Sequence, residues 1–119
     1  MDGKSKLLAS KYLLKIYKKD KFPVIIFRLF QTYGPNQAEN RLIPISINSC
    51  LNNRFFDCSP GEQYRDFVHI NDLIKAIFLS LNNKKALGQI INIGNGKPIK
   101  VKNIIKKIKK IVKKGYPMF

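Results

Sequence analysis

Cys50, Cys58, His69 and the Gly94-Asn95-Gly96 turn are where this sequence first invites a chemical reading. The two cysteines have no second pair, and the single histidine is not in ligand spacing with either, so no zinc site is expected. Two free, reduced thiols and a polar histidine beside a helix start are expected instead. Gly94-x-Gly96 follows an apolar run, as phosphate-cradling loops do, but it lacks a third glycine and leads into Pro98, which predicts a plain turn. Lys6, taken alone, is an ordinary cation on a helix surface.

The elements that must position these groups follow from hydrophobic period. Over 5–19, Leu7, Leu8, Tyr12, Leu13, Ile16 and Tyr17 recur at three- and four-residue steps and predict an amphipathic helix. The continuous apolar run over 24–30, broken only by Arg28, predicts a strand buried on both faces of a parallel sheet. A Gly-Pro loop follows it, then a short helix over 44–51 closed by Asn52-Asn53. Segments 54–57 and 64–70 read as extended, flanking a Ser59-Pro60-Gly61 turn. Asn71 is expected to cap a helix carrying Leu73, Ile74, Ile77, Phe78 and Leu81 on one face, with Asp72 in its first turn. A buried strand over 89–93 and a cationic amphipathic helix over 101–114, stopped by Gly115, complete the chain. Helix and strand alternate, so the expected class is α/β.

The chain has 119 residues, 45% of them hydrophobic, which suits one modest core. Its formal charge of +16 arises from 23 Lys and Arg against 7 Asp and Glu. Such a balance raises a nucleic-acid- or anionic-surface-binding module using the Lys-rich last helix as an alternative function. Arginine appears only at Arg28, Arg41, Arg54 and Arg65, and the wealth of Lys, Ile and Asn is the usage expected of A- and T-rich codons, which accounts for much of the charge. No nucleic-acid-reading motif is visible, and the apolar stripe of the last helix is what a core-facing helix requires. No apolar run reaches membrane-spanning length and no signal peptide is apparent, which predicts a cytoplasmic protein.

Four segments in order, Ser5-Lys6-Leu7-Leu8-Ala9, 28–35, Arg41-Leu42-Ile43-Pro44 and 63–72, resemble the extended short-chain dehydrogenases of the NAD-dependent epimerase/dehydratase family that act on nucleotide-sugars. Gln-Tyr-Arg-Asp-Phe-Val-His-Ile-Asn-Asp is the most specific of them. The resemblance implies a partial Rossmann-type fold: residues 1–35 as the end of the Rossmann-type half and 36–119 as the substrate-binding portion of a single incomplete domain. It also implies that Lys6 is the Lys of a Tyr-x-x-x-Lys pair, binding the nicotinamide ribose of NAD or NADP. Asp2 stands at the Tyr position, and a carboxylate does not supply a phenol's proton chemistry there. The glycine-rich strand-turn-helix for the pyrophosphate is missing, so stable binding of the cofactor by this chain is not expected.

On the substrate side, the resemblance implies that Arg65 clamps the nucleotide diphosphate, with Gln63 beside it. Gln31 occupies the place of the family's Asn, a longer amide with altered reach. Arg41 and Leu42 belong to the segment that passes over the nucleotide. Tyr116-Pro117-Met118-Phe119 resembles a stretch of sugar reductases and epimerases. The expected function is therefore that of a fragment of a nucleotide-sugar epimerase, dehydratase or reductase in polysaccharide or glycan precursor synthesis, inactive alone. Its expected partners are an NDP-hexose, a separately encoded cofactor-binding half and, in the parent enzyme, a second copy of itself. No metal is expected.

Overall fold

A computed structural model describes residues 2–119, with Asp2 described by its backbone alone, so the conduct of the Asp2 carboxylate at the expected Tyr position lies outside the described residues. In chain order the elements are α1 (Asp2–Asp20), β1 (Ile26–Leu29), β2 (Gln31–Tyr33), α2 (Leu42–Leu51), β3 (Phe55–Asp57), β4 (Tyr64–Arg65), β5 (Phe67–His69), α3 (Ile70–Leu81), β6 (Ile90–Ile93), β7 (Ile99–Lys100), α4 (Val101–Val112) and β8 (Tyr116–Met118). They divide into two compact units, Met1–Leu29 with Asn71–Ile93 and Phe30–Ile70 with Gly94–Phe119. Each unit draws on two separated segments, because the parallel partner of β1 is β6 and a parallel pair needs a long crossover between its strands.

In the first unit, β1 and β6 pair in parallel from Ile26↔Ile90 to Leu29↔Ile93. The expectation that β1 is buried on both faces fails. Ile26 and Phe27 are half-buried, Arg28 is exposed, and Leu29 is 50% exposed. The physical reason is that β6 is its one ladder neighbour among the described residues, so the sheet has two strands and two open edges. The α1 stripe is covered only in its second half: Leu13, Ile16 and Tyr17 are half-buried, while Leu7, Leu8 and Tyr12 are exposed. Tyr17 anchors that half. Gly88, at φ +71, lies so close that an added Cβ would stand 2.1 Å from the Tyr17 ring, and its N–H donates to the Val24 carbonyl at 2.7 Å. In α3, Leu73 is buried but Phe78 and Leu81 are exposed, and the helix begins at Ile70, which puts Asn71 inside its first turn rather than at its cap.

The second unit contains three short ladders: β2 with β5 and β3 with β8 in parallel, and β4 with β7 antiparallel. The helices α2 and α4 pack on one another. Ser46 and Cys50 of α2, Val101 and Ile105 of α4, and Val68 of β5 are buried here, each large apolar one contributing about 1.5–3 kcal/mol over an exposed position. Gly115, at φ +93, passes over α2 so closely that a Cβ would sit 2.8 Å from Cys50 Sγ, and its N–H donates to Asn53 Oδ1 at 3.0 Å. α2 starts two residues before the expected Pro44, and α4 ends at Val112 with Lys113 in the left-handed conformation (φ 61) as its cap. Residues 116–118, where no strand is expected from the sequence, form β8, whose Tyr116 ring stacks on Phe55 with centroids 4.6 Å apart. Among the described residues, no helix is long and apolar enough to cross a membrane.

Candidate functional site

The end of β2 and the start of α2 form the wall of a cavity of about 270 Å³ in the second unit. Its position follows from local chemistry. Gly34 turns the chain out of β2 at a point where a Cβ would meet Ile70 Cγ2 at 2.4 Å. Asn36 accepts the left-handed region (φ 64), and the Gln37 Nε2 donates back to the Thr32 carbonyl at 2.9 Å, folding the loop against its own strand. Arg41, extended at φ −95 and ψ 155, then opens α2, and its carbonyl accepts the Ile45 N–H at 2.9 Å.

Gln31, Arg41 and Leu42, three of the five residues expected to face substrate, line this one cavity, together with Asn40 and Gln37. No side chain caps α2 and no acidic residue stands in its first turn. The first-turn N–H groups of Leu42 and Ile43 precede the helical ladder, and the positive end of the helix dipole adds to the Arg41 charge. A guanidinium, backbone N–H groups and a neutral amide in one concavity suit an anion such as a phosphate, with the amide reading a neighbouring hydroxyl. Sequence reasoning missed Gln37 and Asn40. The signal available for them was the run of polar residues between Pro35 and a helix start.

Arg65 and Gln63 lie outside this cavity. Arg65 is exposed on β4, its Nη1 donating to the Tyr64 carbonyl at 2.8 Å, and β4 is held by the Arg65↔Ile99 pairing with β7. Gln63 is exposed, and its carbonyl accepts the Val101 N–H at 3.0 Å, tying the segment to the first residue of α4. Beside them Glu62 bridges Lys100, at 2.7 Å, and Lys102. These two ammonium groups hold the Glu62 carboxyl down at about 2. Lys6 is exposed on α1, in the first unit.

Asp66 does structural work. It is 9% exposed, and its two oxygens accept the N–H groups of Asn95 (2.6 Å) and Gly96 (2.7 Å). Gly94-Asn95-Gly96 presents two converging backbone N–H groups of the kind that cradle phosphate, but both are taken by a carboxylate, whose charge repels a pyrophosphate. Filled in this way, the turn at residues 94–96 is closed to a phosphate.

The remaining reactive groups are held structurally. His69 meets Tyr33 edge-on, with ring centroids 5.2 Å apart. Cys50 and Cys58 are free thiols, and burial pushes both above the ordinary thiol value. No cluster of three metal-ligating side chains occurs among the described residues. The apolar stripe of α4 packs inward at Val101 and Ile105, as a core-facing helix does, while Lys106 and Lys109 lie over the Phe119 and Tyr116 rings at 5.7 and 5.8 Å.

Comparison with known proteins matches residues 3–94 to the model of the NAD dependent epimerase/dehydratase family. The chain is 36% identical over 107 residues to dTDP-D-glucose 4,6-dehydratase of Dictyostelium discoideum, covering 87% of this chain and 24% of that protein. It is 34% identical over 102 residues to CDP-abequose synthase of Salmonella muenchen, covering 82% of this chain and 34% of that one. The structure of UDP-glucuronic acid 4-epimerase from Bacillus cereus, in complex with UDP-glucuronic acid and NAD, superposes with a TM-score of 0.81 at 31% identity, over 94% of this chain and 37% of that one. The fold is thus part of a Rossmann-type α/β enzyme fold, and the chain spans about a quarter to a third of the length of these curated relatives.

Proposed function

Because the chain belongs to the NAD-dependent epimerase/dehydratase family, we propose that it supplies the nucleotide-sugar-binding portion of an epimerase, dehydratase or reductase and does not itself turn the sugar over. The observation that carries this reading is the convergence of Gln31, Arg41 and Leu42 on one cavity at the start of α2. In this reading Arg41 and the N–H groups of Leu42 and Ile43 hold a phosphate of the diphosphate, and the Gln31 amide orients the group beside it. Arg65 closes on the diphosphate from β4, giving up only its contact to the Tyr64 carbonyl. Lys6 keeps the ammonium of the family's catalytic pair, but Asp2 has no phenol to exchange a proton with a sugar hydroxyl.

Isothermal titration of the 119-residue chain with UDP-, dTDP-, CDP- and GDP-sugars tests the proposal, alongside an assay for conversion with NAD or NADP. The expected result is binding without turnover, weakened at least tenfold by Arg41→Ala and by Arg65→Ala. Robust conversion of any NDP-sugar by this chain overturns the inactivity, and absence of binding to all four classes overturns the site.

A second reading is favoured by the open edges of the β1–β6 sheet and the exposed Leu7, Leu8 and Tyr12 of α1. An unpaired parallel edge is a template for another strand. In this reading the first unit is completed by a separately encoded chain bearing a glycine-rich dinucleotide loop. Co-purification of such a chain, with recovery of NAD binding by the mixture, is the expected outcome. A monomer that ignores it removes the reading.

A further inference from the structure

We propose that the second unit carries another ligand site, distinct from the Gln31–Arg41–Leu42 cavity, which takes a small amphipathic anion: a phosphate or carboxylate head held by Lys97 and Lys107, with an apolar body lying against the isoleucines of α2 and α4. The site is a cavity of about 900 Å³ that shares Tyr33, Gln37, Ile43 and Phe67 with the smaller one and opens along α4. Its volume falls within the roughly 300–1,000 Å³ typical of small-molecule sites.

The walls explain the choice of ligand. Ile47 of α2 and Ile104, Ile108 and Ile111 of α4 supply an apolar surface. That surface is incompletely covered, since Ile111 is 71% exposed and Ile47 36%. Lys107 stands within the row formed by Ile104, Ile108 and Ile111, at helical spacings that put all four on one side of α4. Lys107 itself is exposed, so the row carries a cation on its solvent side. Two other lysines of the helix, Lys106 and Lys109, are engaged over aromatic rings and do not line the cavity.

The second cation is placed by a rigid loop. The Asp66 carboxylate takes the Asn95 and Gly96 N–H groups, and Gly94 is so confined that a Cβ would lie 2.5 Å from Phe30 and 2.8 Å from Asp66 Oδ2. Pro98 then fixes the backbone after Lys97. Against these two cations the cavity offers one carboxylate, Glu39. One positive charge is left over beside apolar walls, where an anion with an apolar body gains both charge pairing and burial. An oligonucleotide would use the lysine face at large and would not need the isoleucine row.

Methyl and amide NMR titration of the full chain with phenyl phosphate and with benzoate tests the proposal, with phenyl β-glucoside as the neutral counterpart and inorganic phosphate as the head alone. At least one of the two aromatic anions is expected to shift Ile104, Ile108, Ile111 and Lys97 signals saturably, at least tenfold more tightly than either control. Lys97→Gln/Lys107→Gln should weaken this at least tenfold. Lys106→Gln/Lys110→Gln, which removes the same charge, should leave it unchanged, and both variants are checked for the wild-type melting temperature.

Equal binding of the neutral glucoside, equal loss in the two double variants, or shifts spread without saturation over the lysines overturns the proposal. Tighter saturable binding of a single-stranded oligonucleotide to the same signals overturns it in favour of nucleic acid. UDP should instead move Arg41 and Leu42 signals, so failure of this site and failure of the nucleotide-sugar reading are read from different residues.

Discussion

The two units bury apolar side chains to different ends. In the second, polar groups tie distant segments together: Asp66 to residues 95 and 96, Asn53 to Gly115, and Glu62 to Lys100 and Lys102. In the first, the link between segments is a two-stranded parallel ladder with Gly88 pressed on Tyr17, and the flanking helices leave Leu7, Leu8, Phe78, Leu79 and Leu81 exposed. A two-stranded sheet is marginal on its own. The second unit thus has the fixed geometry a binding site needs, although it too leaves Leu51, Phe55 and Ile111 more than half exposed. The unit with the anion-suited cavity is not the one that carries Lys6.

Asp66→Ala should break that contrast most strongly. It strips two N–H groups of a charged acceptor, at an expected cost of about 2–4 kcal/mol for charge-assisted hydrogen bonds in a partly buried site. Urea unfolding measures the loss, and hydrogen exchange should show Asn95 and Gly96 losing protection. Asp66→Asn should recover only part, because its amide can offer one acceptor oxygen but sets an NH₂ against the other donor.

Gly88→Ala comes next and strikes the first unit. The added methyl meets the Tyr17 ring and forces a left-handed residue with a Cβ, together costing about 1–3 kcal/mol. Faster amide exchange confined to residues 26–29 and 90–93 would show the units responding separately, and uniform loss through both would show that they unfold as one. Combining it with Tyr17→Leu should return part of the stability.

A smaller effect separates the thiols. Cys50 is fully buried and Cys58 is not, so iodoacetamide should label Cys58 first in the native chain, slowly because burial has raised both thiols. Mass spectrometry of the labelled peptides reads the order.

The smallest expected effect is at Glu62. Its carboxyl is held down at about 2 when folded, so the ion pairs stabilise above the ordinary carboxylate value and that stabilisation fades as pH falls through about 2. Glu62→Gln should lower the melting temperature slightly near pH 7 and approach wild type as pH falls below about 2. The difference should shrink in high salt, since the pair is exposed.

Much of this was legible in the residues. Hydrophobic period pointed to α1, α3 and α4, Pro44 and Asn52-Asn53 to α2, and short apolar runs to the strands near 26–29 and 90–93, because these signals are local properties of the chain. Motif order pointed to the family that the comparison with known proteins shows. Tertiary structure decided the rest. Whether β1 is buried depends on its neighbours, so the same apolar run read as a central strand came out with open edges. Strand β8 exists only because β3 lies alongside it. Gln31, Arg41 and Leu42 meet through a loop folded by Gln37, and Arg65 stands apart from them on a ladder with β7 that no local pattern encodes. The cradle at residues 94–96 looked like a turn in the sequence; only the arrival of Asp66, some thirty positions earlier in the chain, determines that its N–H groups hold a carboxylate and not a phosphate.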